Sequence, residues 1–287
     1  MAEIRGASAP ERRGWAPDLE IVRADNASPM TLDGTRSYVL GRHRVAIIDP
    51  GPDDPRQLDA LAAAVDGRPV GVILLTHAHG DHAAGMRAAI DRFGAEPAGS
   101  PDTLRRLGLD GIALADGDTL SIEPEDHDGP ETRVTALHTP GHSADHVCFL
   151  AEPGRRLFTG DLVLGEGSSA ILHPDGSVAD CLASLARLVA LRPALLLPGH
   201  GPPVRDATRR LEAYRRHRLE REAQVREALG RGAGSVTEVR DAVYGELPAG
   251  LRWAADASVA AHLAALAARG EQVPPYEGFG AMEEDHA

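Results

Sequence analysis

At 287 residues the chain is long enough for one large domain with a substantial core, or for a core domain plus an appendage. Its net charge of -13 works against nucleic acid or an anionic membrane as an obvious partner, because binding by counterion release needs cationic side chains. No apolar run approaches the roughly 20 residues that cross a bilayer, and "MAEIRGASAPERRGW" has charges where an export signal needs an apolar centre, so the expected compartment is the cytoplasm.

The chain contains no lysine, so all 30 basic residues are arginine and each one says less than usual about binding. Cys148 and Cys181 form no C-x-x-C pair and are expected as small buried side chains without a disulfide.

In chain order, short Val/Ile/Leu runs with the length of buried strands end in Gly/Pro/His/Asp clusters: "HRVAIIDPG" (43–51), "VGVILLTHAHGDH" (70–82), "RVTALHTPGH" (133–142), "RRLFTGD" (155–161) and "ALLLPGHG" (194–201). Between them "PRQLDALAAAV", "GMRAAIDRF" and "VADCLASLARLVAL" have helical periodicity, which gives an α/β layout. After "PGHGPP" the pattern changes to a long helix, "DATRRLEAYRRHRLEREAQVREAL". Two further helices follow in "SVTEVRDAVYGEL" and "DASVAAHLAALAARG", then an extended, hairpin-like "EQVPPY" and a loose tail, "EGFGAMEEDHA". The expected division is 1–204 for the catalytic domain and 205–287 for a small helical one.

The chemistry concentrates in "LLTHAHGDHAAG" (74–85). His77 and His79 lie just beyond the strand, Gly80 is expected to permit a sharp turn, and Asp81 falls where a helix would begin. Imidazole and carboxylate suit borderline and hard divalent cations, above all zinc. One loop offers too few ligands, and His142, Asp161 and His200, each next to a glycine at a later strand end, supply more.

Taken in order, H-A-H-G-D-H, T-P-G-H, F-T-G-D and P-G-H-G resemble the metallo-β-lactamase superfamily over roughly residues 30 to 205. The resemblance implies a four-layer αβ/βα sandwich with two divalent metal ions, Zn2+ first and Mn2+ or Fe2+ as alternatives. Carried over by position, His77, His79 and His142 hold one metal, Asp81, His82 and His200 the other, and Asp161 bridges them. A metal-bridging hydroxide would attack, with Asp81 and Asp161 as the catalytic carboxylates. Two divalent ions, two carboxylates and a hydroxide would leave a pocket of about +1, and metal-bound water would be acidified toward a pKa of about 7.

"HTPGHSADH", "GDLVLGEGSSAIL", "PGHGP" with "HRLEREAQV", and the helical C-terminal part resemble the beta-lactamase-like protein 2 group. That group implies a winged-helix-like appendage and divides between a single-strand-specific endoribonuclease and thioesterases on carrier-bound polyketides. True β-lactamases of the zinc-cysteine class have Cys where Asp161 stands, which disfavours antibiotic hydrolysis.

The favoured reading is a hydrolase of a small-molecule or carrier-bound ester or thioester. The first alternative is a nuclease that lays single-stranded RNA along the segment 205–231, where nine arginines face five acids; the acidic balance and only 3% aromatic residues oppose it. A non-catalytic, metal-dependent regulatory or interaction module is the second. Asp49 is expected to orient a ligand histidine, with His146 and Ser143 lining the site and Glu166 a candidate for substrate contact. His138, His173 and His217 are expected as structural or exposed, His43, His127, His262 and His286 on the surface, and Trp15 and Trp253 in packing.

Overall fold

The computed structural model describes residues 16–123 and 131–277. Trp15, His127, His286 and the tail from residue 278 lie outside the described residues. Contacts divide the chain into one unit built from 1–138, 145–166 and 194–205 and another from 139–144, 167–193 and 206–287.

The first unit holds both sheets. Strands β1 (Leu19–Arg23), β2 (Arg36–Leu40), β3 (Val45–Ile48), β4 (Val70–Leu74), β5 (Glu96–Gly99) and β6 (Ile112–Ala113) form one sheet in that order. The β1–β2 and β2–β3 pairs are antiparallel and the rest parallel. Strands β7 (Thr119–Ser121), β8 (Arg133–His138), β9 (Val147–Glu152), β10 (Arg156–Gly160) and β11 (Leu195–Pro198) form the second, ordered β11-β10-β9-β8-β7.

Strand alternation explains the packing. Ile21, Tyr38, Leu40, Ile48 and Leu74 meet Val134, Phe149, Phe158 and Leu197 in one core. On the other face of the first sheet, Val22, Val39, Ile47, Ile73 and Leu75 pack with Leu61 and Val65 of helix α1 (Pro55–Val65). Met86 and Ala89 of helix α3 (Met86–Phe93), which lies between the short helices α2 (Gly80–Ala83) and α4 (Pro101–Leu107) in the chain, join them. Both faces are therefore buried, as a largely parallel sheet requires. Helix α1 starts where Asp54 caps the Arg56 N–H and Pro55 presets the first turn, and it stops at Asp66 in the left-handed region.

The second unit contains α5 (Val178–Leu191), α6 (Ala207–Gly230), α7 (Val236–Tyr244) and α8 (Ala249–Ala267). Val225, Val236, Val239, Val259, Leu263 and Leu266 form its core, with Val273 and Tyr276 against it. Residues 271–276 form neither helix nor strand, so the expected hairpin-like piece is not seen among the described residues. The adjacent Pro274 and Pro275 have no N–H groups to give a ladder.

His262, expected on the surface, is 2% exposed. Helix α8 is buried on nearly every side because its alanines allow close approach, so a polar residue in it does not mark an exposed face. Cys148 and Cys181 are buried free thiols. Among the described residues, no helix is long and apolar enough to cross a membrane.

Candidate metal centre

Strand β4 is hydrophobic up to Leu75, after which the chain enters the short helix α2 (Gly80–Ala83), capped at His79. His77 and His82 are fully buried, and their rings lie 4.4 Å apart, with His79 at 4.5 Å from His77. Gly80 departs from expectation. It opens α2 without a positive φ, and a Cβ there would meet nothing within 4 Å, so the turn does not depend on glycine.

Asp81, His82, Asp161 and His200 converge, each offering a ligand atom within 4.8 Å of the others. The Nε2 atoms of His82 and His200 are 3.3 Å apart. Asp161 sets Oδ1 at 3.3 Å from His82 and Oδ2 at 3.3 Å from His200, while Asp81 Oδ2 lies 3.0 Å from His200 and 3.6 Å from His82. Strand ends of both sheets supply these groups: β4, β10 and β11.

The electrostatics of this quartet ask for positive charge. Burial alone would depress the His82 pKa, but the Asp81 and Asp161 carboxylates outweigh it and raise it well above the ordinary imidazole value. His200, equally opposed by burial, is raised by Asp161 to about 9. Burial likewise opposes ionisation at Asp161, yet His200 and His82 hold that carboxyl well below its usual range. A divalent cation brings the same charge to nitrogen lone pairs that already point at one another, and two imidazoles with two carboxylates are a zinc-type donor set.

The surrounding hydrogen bonds fix the tautomers. Asp49, with φ of 51° in the left-handed region that Asp tolerates, accepts the Thr76 N–H at 2.8 Å, the Thr76 hydroxyl at 2.7 Å and His82 Nδ1–H at 2.9 Å. Because the Thr76 hydroxyl donates to Asp49, its oxygen accepts from His77 Nδ1 at 3.0 Å. Both histidines therefore turn Nε2 away from these partners. An Asp49→Asn variant keeps the shape and the left-handed backbone but loses the charge. It is expected to bind metal roughly 10–100-fold more weakly, measured by competition with a chromophoric chelator.

His146 is buried, its ring 5.2 Å from His77, and its Nε2 accepts the Asp161 N–H at 3.2 Å. Its neighbour Asp145 was missed in the sequence. It accepts the Ala78 N–H between the two histidines at 2.9 Å, and Thr103 Oγ1–H at 2.8 Å. The only hint was an acid beside His146 in "HSADH".

Glu166 is exposed. His142 and Ser143 belong to the loop 139–144 of the second unit, where both are buried and His142 Nδ1 faces the Ala170 carbonyl at 3.0 Å. His43 is exposed, and His138 donates Nε2–H to the Leu114 carbonyl at 2.8 Å, a structural contact. His173 meets the Tyr276 ring at 5.5 Å, and Trp253 is half-buried.

The family model of the Metallo-beta-lactamase superfamily matches residues 30–200. The atrochrysone carboxyl ACP thioesterase of Aspergillus fumigatus is 34% identical over 223 residues, which are 72% of this chain and 49% of that protein, so the chain spans about half of its length. The beta-lactamase-like protein 2 homolog of Drosophila melanogaster is 30% identical over 257 residues, 86% of each chain. A beta-lactamase domain protein from Burkholderia ambifaria, known as a crystal structure, is similar at TM-score 0.74 and 24% identity over 93% of this chain and 91% of its own.

Proposed function

Because the chain belongs to the metallo-β-lactamase superfamily and is a hydrolase of that kind, we propose that it is a dinuclear zinc enzyme that cleaves a carboxylic thioester or ester, small-molecule or carrier-bound. The observation behind this reading is the quartet of Asp81, His82, Asp161 and His200, four donors that converge within 4.8 Å of one another. We assign His77, His79 and His142 to one ion, Asp81, His82 and His200 to the second, and Asp161 to both. When bound, a pair of divalent cations acidifies water toward a pKa of about 7 and polarises an acyl oxygen.

The chain's own groups divide the remaining work. Asp49 keeps His82 and, through Thr76, His77 in one tautomer. His146 holds the Asp161 backbone, and Asp145 ties down the Ala78 amide between two ligands. Asp81 is the more open carboxylate, with 29% of its side chain exposed against 10% for Asp161. It is the group placed to meet substrate and to take the proton released by the attacking water.

A thioester is favoured over RNA because several of the nine arginines between 205 and 231 already have partners within the protein, although Arg209, Arg215 and Arg216 are exposed. Arg226 pairs with Glu222 and Glu271, and Arg231 with Glu227. Arg221 lies over Tyr244, and Arg210 and Arg218 donate to the carbonyls of Gly167 and Ser169. The acids that take part are Glu222, Glu227 and Glu271 rather than Glu212 and Glu220, and each pairing lowers the positive charge left for an electrostatic rail. The relative named as an ACP thioesterase points to a carrier-bound acyl group.

The test is a hydrolysis panel with zinc-, manganese- and iron-loaded protein on acyl thioesters, simple esters and a fluorogenic single-stranded RNA. Thioester turnover that stops on chelation is the expected result. RNA cleavage with no thioester turnover would replace this reading with a nuclease.

A further inference from the structure

Arg218 lies in the middle of α6 and is 4% exposed, yet no carboxylate pairs with it among the described residues. The acid one turn along the helix, Glu222, directs its oxygens to Arg226 and Arg269, each at 2.7 Å. Burying a guanidinium without a counter-charge is costly unless hydrogen bonds satisfy it. Arg218 Nη2 donates to the Ser169 carbonyl and lies 3.2 Å from Ser169 Oγ, while the guanidinium sits 5.4 Å from the centre of the Tyr214 ring. Tyr214, also on α6 and 2% exposed, accepts the Ser169 N–H at 2.5 Å through its hydroxyl, which is 3.3 Å from Ser169 Oγ. The backbone donor, the backbone acceptor and the side chain of one serine are thus all held by two α6 residues.

The next residue, Ala170, presents its carbonyl to His142 Nδ1 at 3.0 Å. A carbonyl only accepts, so Nδ1 carries the hydrogen and the lone pair is on Nε2. The main chain just before His142 is anchored separately, by α5 and its capping residue: Ser184 donates to the Pro140 carbonyl at 2.8 Å, and the Ser177 N–H donates to the Gly141 carbonyl at 2.8 Å. What α5 leaves open is the rotation of the imidazole and the choice of nitrogen that binds the ion.

We propose that Arg218 and Tyr214 are positioning residues for the His142 ligand: by clamping Ser169 they aim the Ala170 carbonyl, which fixes the orientation and tautomer of the ring. The inference rests on the assignment of His142 as a ligand. It gives the C-terminal helix a role in building the metal centre rather than in recognising substrate.

The experiment uses the full chain and reads metal binding rather than turnover. Arg218→Met, Arg218→Lys, Tyr214→Phe and the reference His142→Ala are titrated with zinc against a chromophoric chelator, and their cobalt(II) absorption spectra are recorded. Thermal melting of the metal-depleted proteins identifies the variants that fold. Arg218→Met is expected to bind one of the two ions roughly 10–100-fold more weakly with an altered cobalt spectrum, the other ion unaffected, and Arg218→Lys is expected to restore part of the loss. If Arg218→Met does not fold, Tyr214→Phe decides, with the same ion weakened several-fold.

A folded variant that binds both ions with unchanged affinity and spectrum overturns the proposal. If His142→Ala itself keeps both ions, the ligand assignment is what fails. If His142→Ala loses one ion and the α6 variants lose none, the assignment stands and only the positioning role is lost.

Discussion

Exchange of Asp161 for asparagine is expected to lower thioester hydrolysis by more than about 100-fold, beyond the ~10–100-fold cost of removing a group that merely orients a ligand. Asp161 is 7% exposed and divides its oxygens between two imidazoles, so its charge is felt by both at close range in a dry pocket. Asparagine keeps the size but offers one neutral oxygen and one amide, whose hydrogens would point at His200 or His82. Fewer ions should remain bound, and mass spectrometry of the native protein would count them beside the rate measurement. Two ions still bound and a rate within tenfold of the parent would remove Asp161 from the centre.

Gly199→Ala should be nearly as damaging, although it replaces no ligand. A Cβ at this position would lie 2.4 Å from His82 Cε1 and 2.7 Å from Asp161 Oδ1. The backbone cannot retreat, because the Gly199 N–H donates to the Gly160 carbonyl at 2.9 Å and its own carbonyl accepts the Arg36 N–H at 2.7 Å. Overpacking of this kind costs about 1–3 kcal/mol, and here the displaced atoms are the donors themselves, so loss of metal should accompany the lower melting temperature. Gly80→Ala, in the motif between His79 and Asp81, is the control. Its Cβ enters open space at the start of a helix, so metal content should be retained and stability unchanged or improved by up to about 1 kcal/mol. The reverse order of effects would contradict the packing around His82.

The donors were legible because each follows an apolar run that could only be a buried strand, as at β4, β10 and β11. Strand β2 was not, since Arg36 and Ser37 within it are buried by partners elsewhere. Asp33, three residues earlier, takes the guanidinium, and Gln57, 20 residues on, reaches the serine hydroxyl, so two polar residues lie buried where a strand is expected to show apolar ones. Asp145 was hidden for the same reason, its hydroxyl partner Thr103 lying 42 residues earlier. Helix α8 begins at Ala249 rather than near Asp256: Asp256 resembles a helix start, but apart from Gly250 and Trp253 the preceding "AGLRWAA" consists of strong helix formers, and the helix starts after Pro248.

The polypeptide passes between its two units five times, and this interlacing governs the order in which the second unit can be finished during translation. Ser169 precedes Arg218 by 49 residues. At about 5–20 residues per second, the ribosome delivers the second several seconds after the first. Strands β1 to β10 can pair in that interval, but the histidine at 142 waits for α6 before its ring is set. Truncation after residue 205 should accordingly leave α5 without its helical neighbours rather than release a finished hydrolase.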